Sequence, residues 1–358
     1  MTLELPERIR GCLLGGAVGD ALGAPYEFAT WDQIQEALGP AGVTDVFPPG
    51  RFTDDTQMTL FTCEGLIHAQ FRYLSRGIIH PPSILHLSYL HWLVTQGYEW
   101  LTIGRGEERP GGWLVQEPKL HRQEAPGATC LSALQSGDLS PTGRAPNHSK
   151  GCGGVMRAAP AGFVGPMATD QEMAYRSGCD AAAVTHGHPD GIHSAGLFAA
   201  LISGVMQGYS LRESYKKAAP LTTDRMREVV GRALSLGEAG VPEPEVIENH
   251  LGGGWVGDEA LAIAVACAVG APDYTTGVLA AVNHSGDTDS TGSICGNLLG
   301  ALYGEERIPT RWLEKLDGRE IVASVADDCV TWTLKYPIVN GGDRETEQYF
   351  FDRYVLPV

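Results

Sequence analysis

At 358 residues, 43% hydrophobic and 19% charged, the chain is long enough for one large core or two domains and has the make-up of a soluble globular protein. A formal net charge of −17 excludes a broad surface for nucleic acid or anionic membrane, because phosphates would be repelled; a local pocket for one phosphate-bearing small molecule stays open. The eight cysteines are scattered with no CxxC pair and read as reduced, mostly buried thiols of a cytoplasmic protein.

The first residues are not expected to be a signal peptide, since the apolar run is short and follows acidic residues. No run reaches transmembrane length. Pro6 stands near a helix start, and residues 7–25 read as a helix with Gly15, Gly19 and Gly23 on one face. Glycine inside a helix costs ~1 kcal/mol relative to alanine, so three in register point to another backbone pressed against that face. Residues 53–77, with an Asp/Thr cap, and 81–97 read as further helices. Residues 102–127 are Gly/Pro-rich and charged and read as a surface excursion. A short helix is expected at 127–137 and the start of another at 154–163. Residues 170–189 read as helical up to a histidine cluster, and 190–208 follow directly. Amphipathic helices are expected at 211–219 and 222–240, a buried apolar helix at 257–272, and another at 273–286. The stretch NHSGDTDSTGSICGNLLGALYG, residues 283–304, then carries a second glycine series: Gly292, Gly296, Gly300 and Gly304. There is no βαβ rhythm, no fixed repeat and no linker, so the expectation is one compact all-α, multi-helix bundle domain spanning 1–358.

Three polar clusters stand at loop-to-helix junctions: Thr53-Asp54-Asp55-Thr56, Asp287-Thr288-Asp289-Ser290-Thr291, and SKGCGGVMR at 149–157 with THGHP at 185–189. Helix capping needs one such residue per helix, and two acidic doublets exceed that need. If they meet in space, four carboxylates demand cations. Hard oxygen ligands without cysteine or neighbouring histidine suit Mg²⁺, Mn²⁺ or Ca²⁺ rather than zinc. Two divalent ions ~3.5–4 Å apart would balance the charge and activate a water. The D-x-D-x-T spelling is shared with dehalogenase-type phosphatases, but that motif follows a hydrophobic strand and AAVNHSG precedes it here. An EF-hand reading fails at its twelfth position, where Leu298 stands in place of a bidentate Glu. The glycine turn could present successive N–H groups to an anion, although such turns are also common in ordinary loops. His186 and His188 read as hydrogen-bonding pocket or core residues rather than metal ligands.

Taken together, RIRGCLLGGAVGDALGAPYEF, FTDDTQM, SKGCGGVMRAAP, THGHPDGIHSAG and the 283–304 stretch resemble, in order, the ADP-ribosylglycohydrolase family of the dinitrogenase-reductase-activating type. The resemblance covers most of the chain and implies an all-α bundle with a binuclear Mg²⁺ (or Mn²⁺) centre. It implies Thr53, Asp54, Asp55, Asp287, Asp289 and Ser290 as ligands. It places Glu27 near the metals and the distal ribose, and makes Asp55, Asp287, Asp289 and Glu27 the catalytic group. The turn of Ser149, Lys150, Gly151, Cys152, Gly153 and Gly154, with Met156, would cradle the pyrophosphate and distal ribose, bordered by His186. Cys152 stands where members acting on serine linkages and O-acetyl-ADP-ribose often carry asparagine, and matches arginine-linkage members. The expected reaction is therefore hydrolysis of an ADP-ribosylated protein or small molecule, with arginine as the favoured acceptor, releasing ADP-ribose. Attack would fall on the anomeric carbon of the distal ribose. A serine or O-acetyl linkage, an ADP-ribosylated base, and a non-catalytic ADP-ribose-binding module stay open. A monomer is expected. The two glycine series would then let their helices press together and bring the 53–55 and 287–290 loops within ~10 Å.

Overall fold

The computed structural model describes residues 3–100, 111–137, 139–140, 142–339 and 341–355. Its helices in chain order are α1 (Leu5–Gly23), α2 (Trp31–Leu38), α3 (Asp54–Arg76), α4 (Pro81–Thr95), α5 (Ala128–Gln135), α6 (Gln171–Ala183), α7 (Pro189–Met206) and α8 (Leu211–Ala218). They continue as α9 (Asp224–Glu238), α10 (Pro244–His250), α11 (Gly257–Gly270), α12 (Tyr274–Val282), α13 (Thr288–Tyr303), α14 (Thr310–Lys315), α15 (Arg319–Lys335) and α16 (Arg344–Tyr354). No strand occurs among the described residues; one antiparallel bridge joins Gly151 to Val256.

The centre of the molecule is the pair α1 and α13, packed antiparallel. Pro6 stands in the first turn of α1, where its missing N–H costs nothing, and Glu4 and Glu7 close a capping box. Gly15 faces Gly296 and Gly19 faces Gly292; Gly11 extends the seam against Gly300, and Gly23 meets the backbone of Thr288 rather than a glycine. A Cβ built on Gly15 would stand 2.5 Å from the carbonyl oxygen of Gly296, and one on Gly292 the same distance from that of Gly19. Side chains are excluded there, so the helices approach to backbone contact. Polar atoms finish the seam: Tyr274 donates to Gly15 O at 2.7 Å, Asn297 to Cys12 O at 2.8 Å and Thr288 to Gly23 O at 2.9 Å. The apolar helices α7 and α11 are buried on nearly every face, while α8 and α9 bury one side only and lie outside them.

Three differences from the sequence reading have physical causes. The helix expected from residue 154 is instead a buried chain of tight turns, with 3₁₀ segments at Cys152–Gly154 and Ala159–Gly162. Pro160 has no N–H to give an α-helix, and the local bonds run Val155 N to Cys152 O, Ala158 N to Val155 O and Ala161 N to Ala158 O. In the 102–127 excursion, residues 102–110 lie outside the described residues, but 111–127 is pinned: Leu114 and Leu120 are fully buried and Arg353 of α16 stacks 3.5 Å above the Trp113 ring. Helices α2, α10, α14, α15 and α16 form where the sequence reading named none. The first three are short, and β-branched residues such as Val322, Val325 and Val330 blur the periodicity of α15.

Candidate metal centre

Helices α3 and α13 begin at the same place, and their first turns carry the two acidic doublets. Thr53 caps α3, its hydroxyl accepting from Asp55 N at 3.3 Å; Asp287 caps α13, its carboxylate accepting from Ser290 N at 3.2 Å. One residue caps each helix, Thr53 at α3 and Asp287 at α13, which leaves Asp54, Asp55 and Asp289 beyond the capping need. Ser290 Oγ donates to Asp55 Oδ1 at 2.9 Å, which joins the two loops directly. Asp289 accepts from Ser290 N at 3.0 Å. Asp54 accepts from Gly127 N at 3.0 Å and gives its own N–H to Glu124 O, so the 111–127 segment closes the third side. Glu27, half-buried after the short turn that follows α1, completes the ring: one oxygen from each of Glu27, Asp287 and Asp289 lies within 4.8 Å of the others.

Asp20, a buried carboxylate inside α1, orients this loop. It accepts from Thr53 N at 2.9 Å, Thr56 N at 3.0 Å and Thr56 Oγ1 at 2.5 Å. Helix α1, through a face next to its glycine seam, and the first turn of α3 are thereby locked together.

The electrostatics show how much negative charge is gathered. Burial pushes the carboxyls of Asp20 and Asp54 up to about 6 and about 7; hydrogen bonds from Thr53 and Thr56 oppose the rise at Asp20, and that from Gly127 opposes it at Asp54. Burial, then the charges of Asp287, Asp54 and Asp20, push Glu27 up to about 8. Asp55 and Asp289 are driven well above the carboxylate range by burial and then by neighbouring aspartates. No ion pair reaches any of these six carboxylates among the described residues; the cation acting on Asp54 is Arg157, buried behind it. A cluster of hard oxygen donors with one cation nearby and no ion pair among the described residues fits divalent Mg²⁺ or Mn²⁺.

The glycine turn lies against this cluster. Cys152 Sγ is 2.8 Å from Asp287 Oδ2, and Cys152 N donates to Trp255 O at 3.3 Å. Asp287 N donates to Gly253 O at 2.8 Å, so the 253–256 segment ties the turn to the α13 loop. Ser149 is engaged in shaping the turn, with Thr129 Oγ1 at 3.0 Å and Gly151 N at 3.3 Å. Lys150 is exposed, Gly151, Cys152 and Gly153 are half-buried, Gly154 is buried, and Met156 turns into the apolar core. His186 is buried behind the turn: a Cβ on Gly151 or Gly153 would stand 3.4 Å from its Nε2. His188 caps α7 instead. At the rim, Phe28 adopts φ +71° and stacks on Trp255 with ring centroids 5.1 Å apart.

Asp20, Gly127 and Arg157 take part in this arrangement without a role read from the sequence. Asp20 had a signal, being the one charge in the apolar, glycine-rich stretch from Gly11 to Gly23; the others are placed by tertiary contact alone.

The family model described as ADP-ribosylglycohydrolase matches residues 1–337. The chain is 25% identical over 319 residues to the ADP-ribosyl-(dinitrogen reductase) glycohydrolase of Rhodospirillum rubrum, covering 87% of this chain and 90% of the relative. It is 24% identical over 325 residues to the ADP-ribosylarginine hydrolase Tri1 of Serratia proteamaculans, covering 90% of this chain and 79% of the relative. Among solved structures, an ADP-ribosylglycohydrolase-related protein complex superposes with a TM-score of 0.65 at 25% identity, covering 92% of this chain and 99% of the other. An all-α fold, five motifs in family order and a family match across nearly the whole chain lead to one conclusion: this protein belongs to the ADP-ribosylglycohydrolase family.

Proposed function

We propose that the protein hydrolyses the N-glycosidic bond between ADP-ribose and an arginine acceptor, releasing ADP-ribose, with two divalent cations, Mg²⁺ or Mn²⁺, in its acidic centre. The observation that carries this reading is the meeting of two acidic helix starts at the Ser290–Asp55 contact, beside a glycine turn. Thr53, Asp54, Asp55, Asp287, Asp289 and Ser290 would hold the ions. When bound, the ions would supply charge compensation and polarise ribose hydroxyls and water.

The chain's own groups do the rest. Asp287 and Asp289, fixed on the first turn of α13, orient the attacking water on one side of the anomeric carbon. The turn from Ser149 to Gly154, with His186 behind it, seats the pyrophosphate and distal ribose and holds that carbon in place. We assign the proton required by the leaving guanidine to the carboxyl of Glu27, which makes no hydrogen bond with the other described residues. The arginine acceptor is favoured by Cys152 in the glycine turn and by the Serratia relative, an ADP-ribosylarginine hydrolase by name.

A single domain over 1–358 belongs to this reading, supported by one continuous apolar core from Ile9 to Tyr354. The cytoplasm is the compartment we assign, on the mostly buried thiols. No helix among the described residues is long and apolar enough to cross a membrane. The test is parallel incubation with arginine-linked and serine-linked ADP-ribosyl substrates in Mg²⁺, quantifying free ADP-ribose. Release from the arginine substrate supports the reading; release from the serine substrate alone overturns the acceptor.

A further inference from the structure

Arg157 is a fully buried guanidinium whose hydrogen-bond partners among the described residues are all neutral. Nη1 reaches Cys130 Sγ at 3.2 Å and Met58 Sδ at 3.4 Å; Nη2 reaches Ala181 O at 2.9 Å and Thr185 Oγ1 at 2.6 Å. The group also lies 4.3 Å from the centre of the Tyr89 ring. Packing against Tyr89 would account for a buried cation, but not for the short contact to Thr185.

Thr185 Oγ1 lies 2.8 Å from His186 Nδ1. A guanidinium nitrogen can only donate, so the Arg157 contact occupies a lone pair of the Thr185 hydroxyl. The hydroxyl proton then needs an acceptor. Cys130 sulfur is a weak one and already receives Arg157 Nη1; the imidazole nitrogen is the strong one. If Thr185 donates to Nδ1, a neutral ring must carry its proton on Nε2. The ring is neutral, because burial and the Arg157 charge push it down to about 3. Asn147 fixes the backbone on either side, donating to Thr185 O at 2.9 Å and accepting from Gly187 N at 2.9 Å. The Nε2 edge faces Gly151 and Gly153, where the missing side chains let the turn approach the ring.

We infer that Arg157, acting through the Thr185 hydroxyl, holds His186 as its Nε2–H tautomer, so that the glycine turn carries a side-chain N–H donor for an oxyanion. In the reading above that oxyanion is the pyrophosphate of ADP-ribose, and the identity of the ligand rests on that reading; the tautomer does not. The opposite tautomer would aim a lone pair at a phosphate. Arg157 and Thr185 are positioning residues, and His186 is the group that meets the ligand.

The test is a long-range ¹H–¹⁵N correlation on the full-length protein labelled at histidine, with His186 assigned by its loss in His186→Gln. The expected result is a protonated Nε2 and an unprotonated Nδ1. In Thr185→Val the ring should shift towards protonation at Nδ1, ADP-ribose should bind roughly ten-fold more weakly, and KM should rise more than kcat falls. Thr185→Ser should restore all three. A wild-type ring protonated at Nδ1 overturns the inference, as does a Thr185→Val protein with unchanged tautomer and affinity. The wild-type spectrum decides even if the valine variant does not fold. If ADP-ribose fails to bind wild type while Nε2 is protonated, the functional reading falls and the tautomer assignment stands.

Discussion

The hydroxyl of Ser290 lies 2.9 Å from Oδ1 of Asp55, joining residues 235 positions apart in sequence at the point where α13 and α3 begin. Two helix starts that would repel each other are held together there. The force that brings them together comes from elsewhere, chiefly the side-chain-free seam of α1 and α13 and the Asp20 carboxylate that grips the first turn of α3.

Removing one carboxylate should therefore harm function and spare the fold. Asp289→Ala and Asp54→Ala are expected to lose activity on the order of 10²-fold or more while melting in chelator at or above the wild-type temperature, because a buried like charge is gone. Calorimetry beside an ADP-ribose release assay checks this; near-wild-type turnover in either variant would remove the residue from the centre.

The seam itself should be intolerant. Gly19→Ala places a methyl group against the Gly292 carbonyl, a contact of two backbones with no flexible atom to yield. The expected cost is about 1–3 kcal/mol or more. Gly231→Ala in α9 is the contrast: its Cβ meets only the Tyr215 hydroxyl, at 3.3 Å, so helix propensity should make it neutral or stabilising. Denaturant melts of the pair provide the comparison, and equal stability of the two variants would refute the seam.

The metal-free protein should lose stability as pH rises. In it Asp20, Asp54 and Glu27 bind protons with values pushed up to about 6, about 7 and about 8. Raised folded-state values mean that their contribution is fully present below the ordinary carboxyl range and is lost as pH climbs through about 6 to 8. The melting temperature in chelator should fall across that window. Added Mg²⁺ or Mn²⁺ should restore it, with the larger gain at about pH 8 than at about pH 5.5, because bound cations displace protons. An equal gain at both ends would contradict the charge-crowding account.

His186 makes the reverse prediction on the acid side. Its value is pushed down to about 3 by burial and the Arg157 charge, so its contribution is present above the ordinary histidine value of about 6.5 and fades as pH falls below it. His186→Gln should flatten part of that acid limb in thermal melts, and an unchanged limb would count against a ring kept neutral by its surroundings.

Part of this centre is written locally. Glycines four apart on two stretches announce a close helix pair, and acidic doublets at two helix starts announce a cation site, since both are patterns within a few residues. Other parts are invisible until the chain is folded. Gly127 reaches Asp54 only because Leu114 and Leu120 pin the preceding segment into the core. Thr185 matters only because Arg157 arrives from another element. The 154–163 stretch reads as helical because its residues are small and apolar, yet the missing N–H of Pro160 and the packing around it select tight turns.

The most direct test of the central claim is a Mn²⁺ titration of the purified chain followed by electron paramagnetic resonance, read against ADP-ribose release in the same samples. The account predicts two spin-coupled ions per chain, lost in Asp289→Ala, with hydrolysis of the arginine-linked substrate rising as they fill. Hydrolysis that persists in chelator, or a wild-type chain that holds no ion pair, would contradict it.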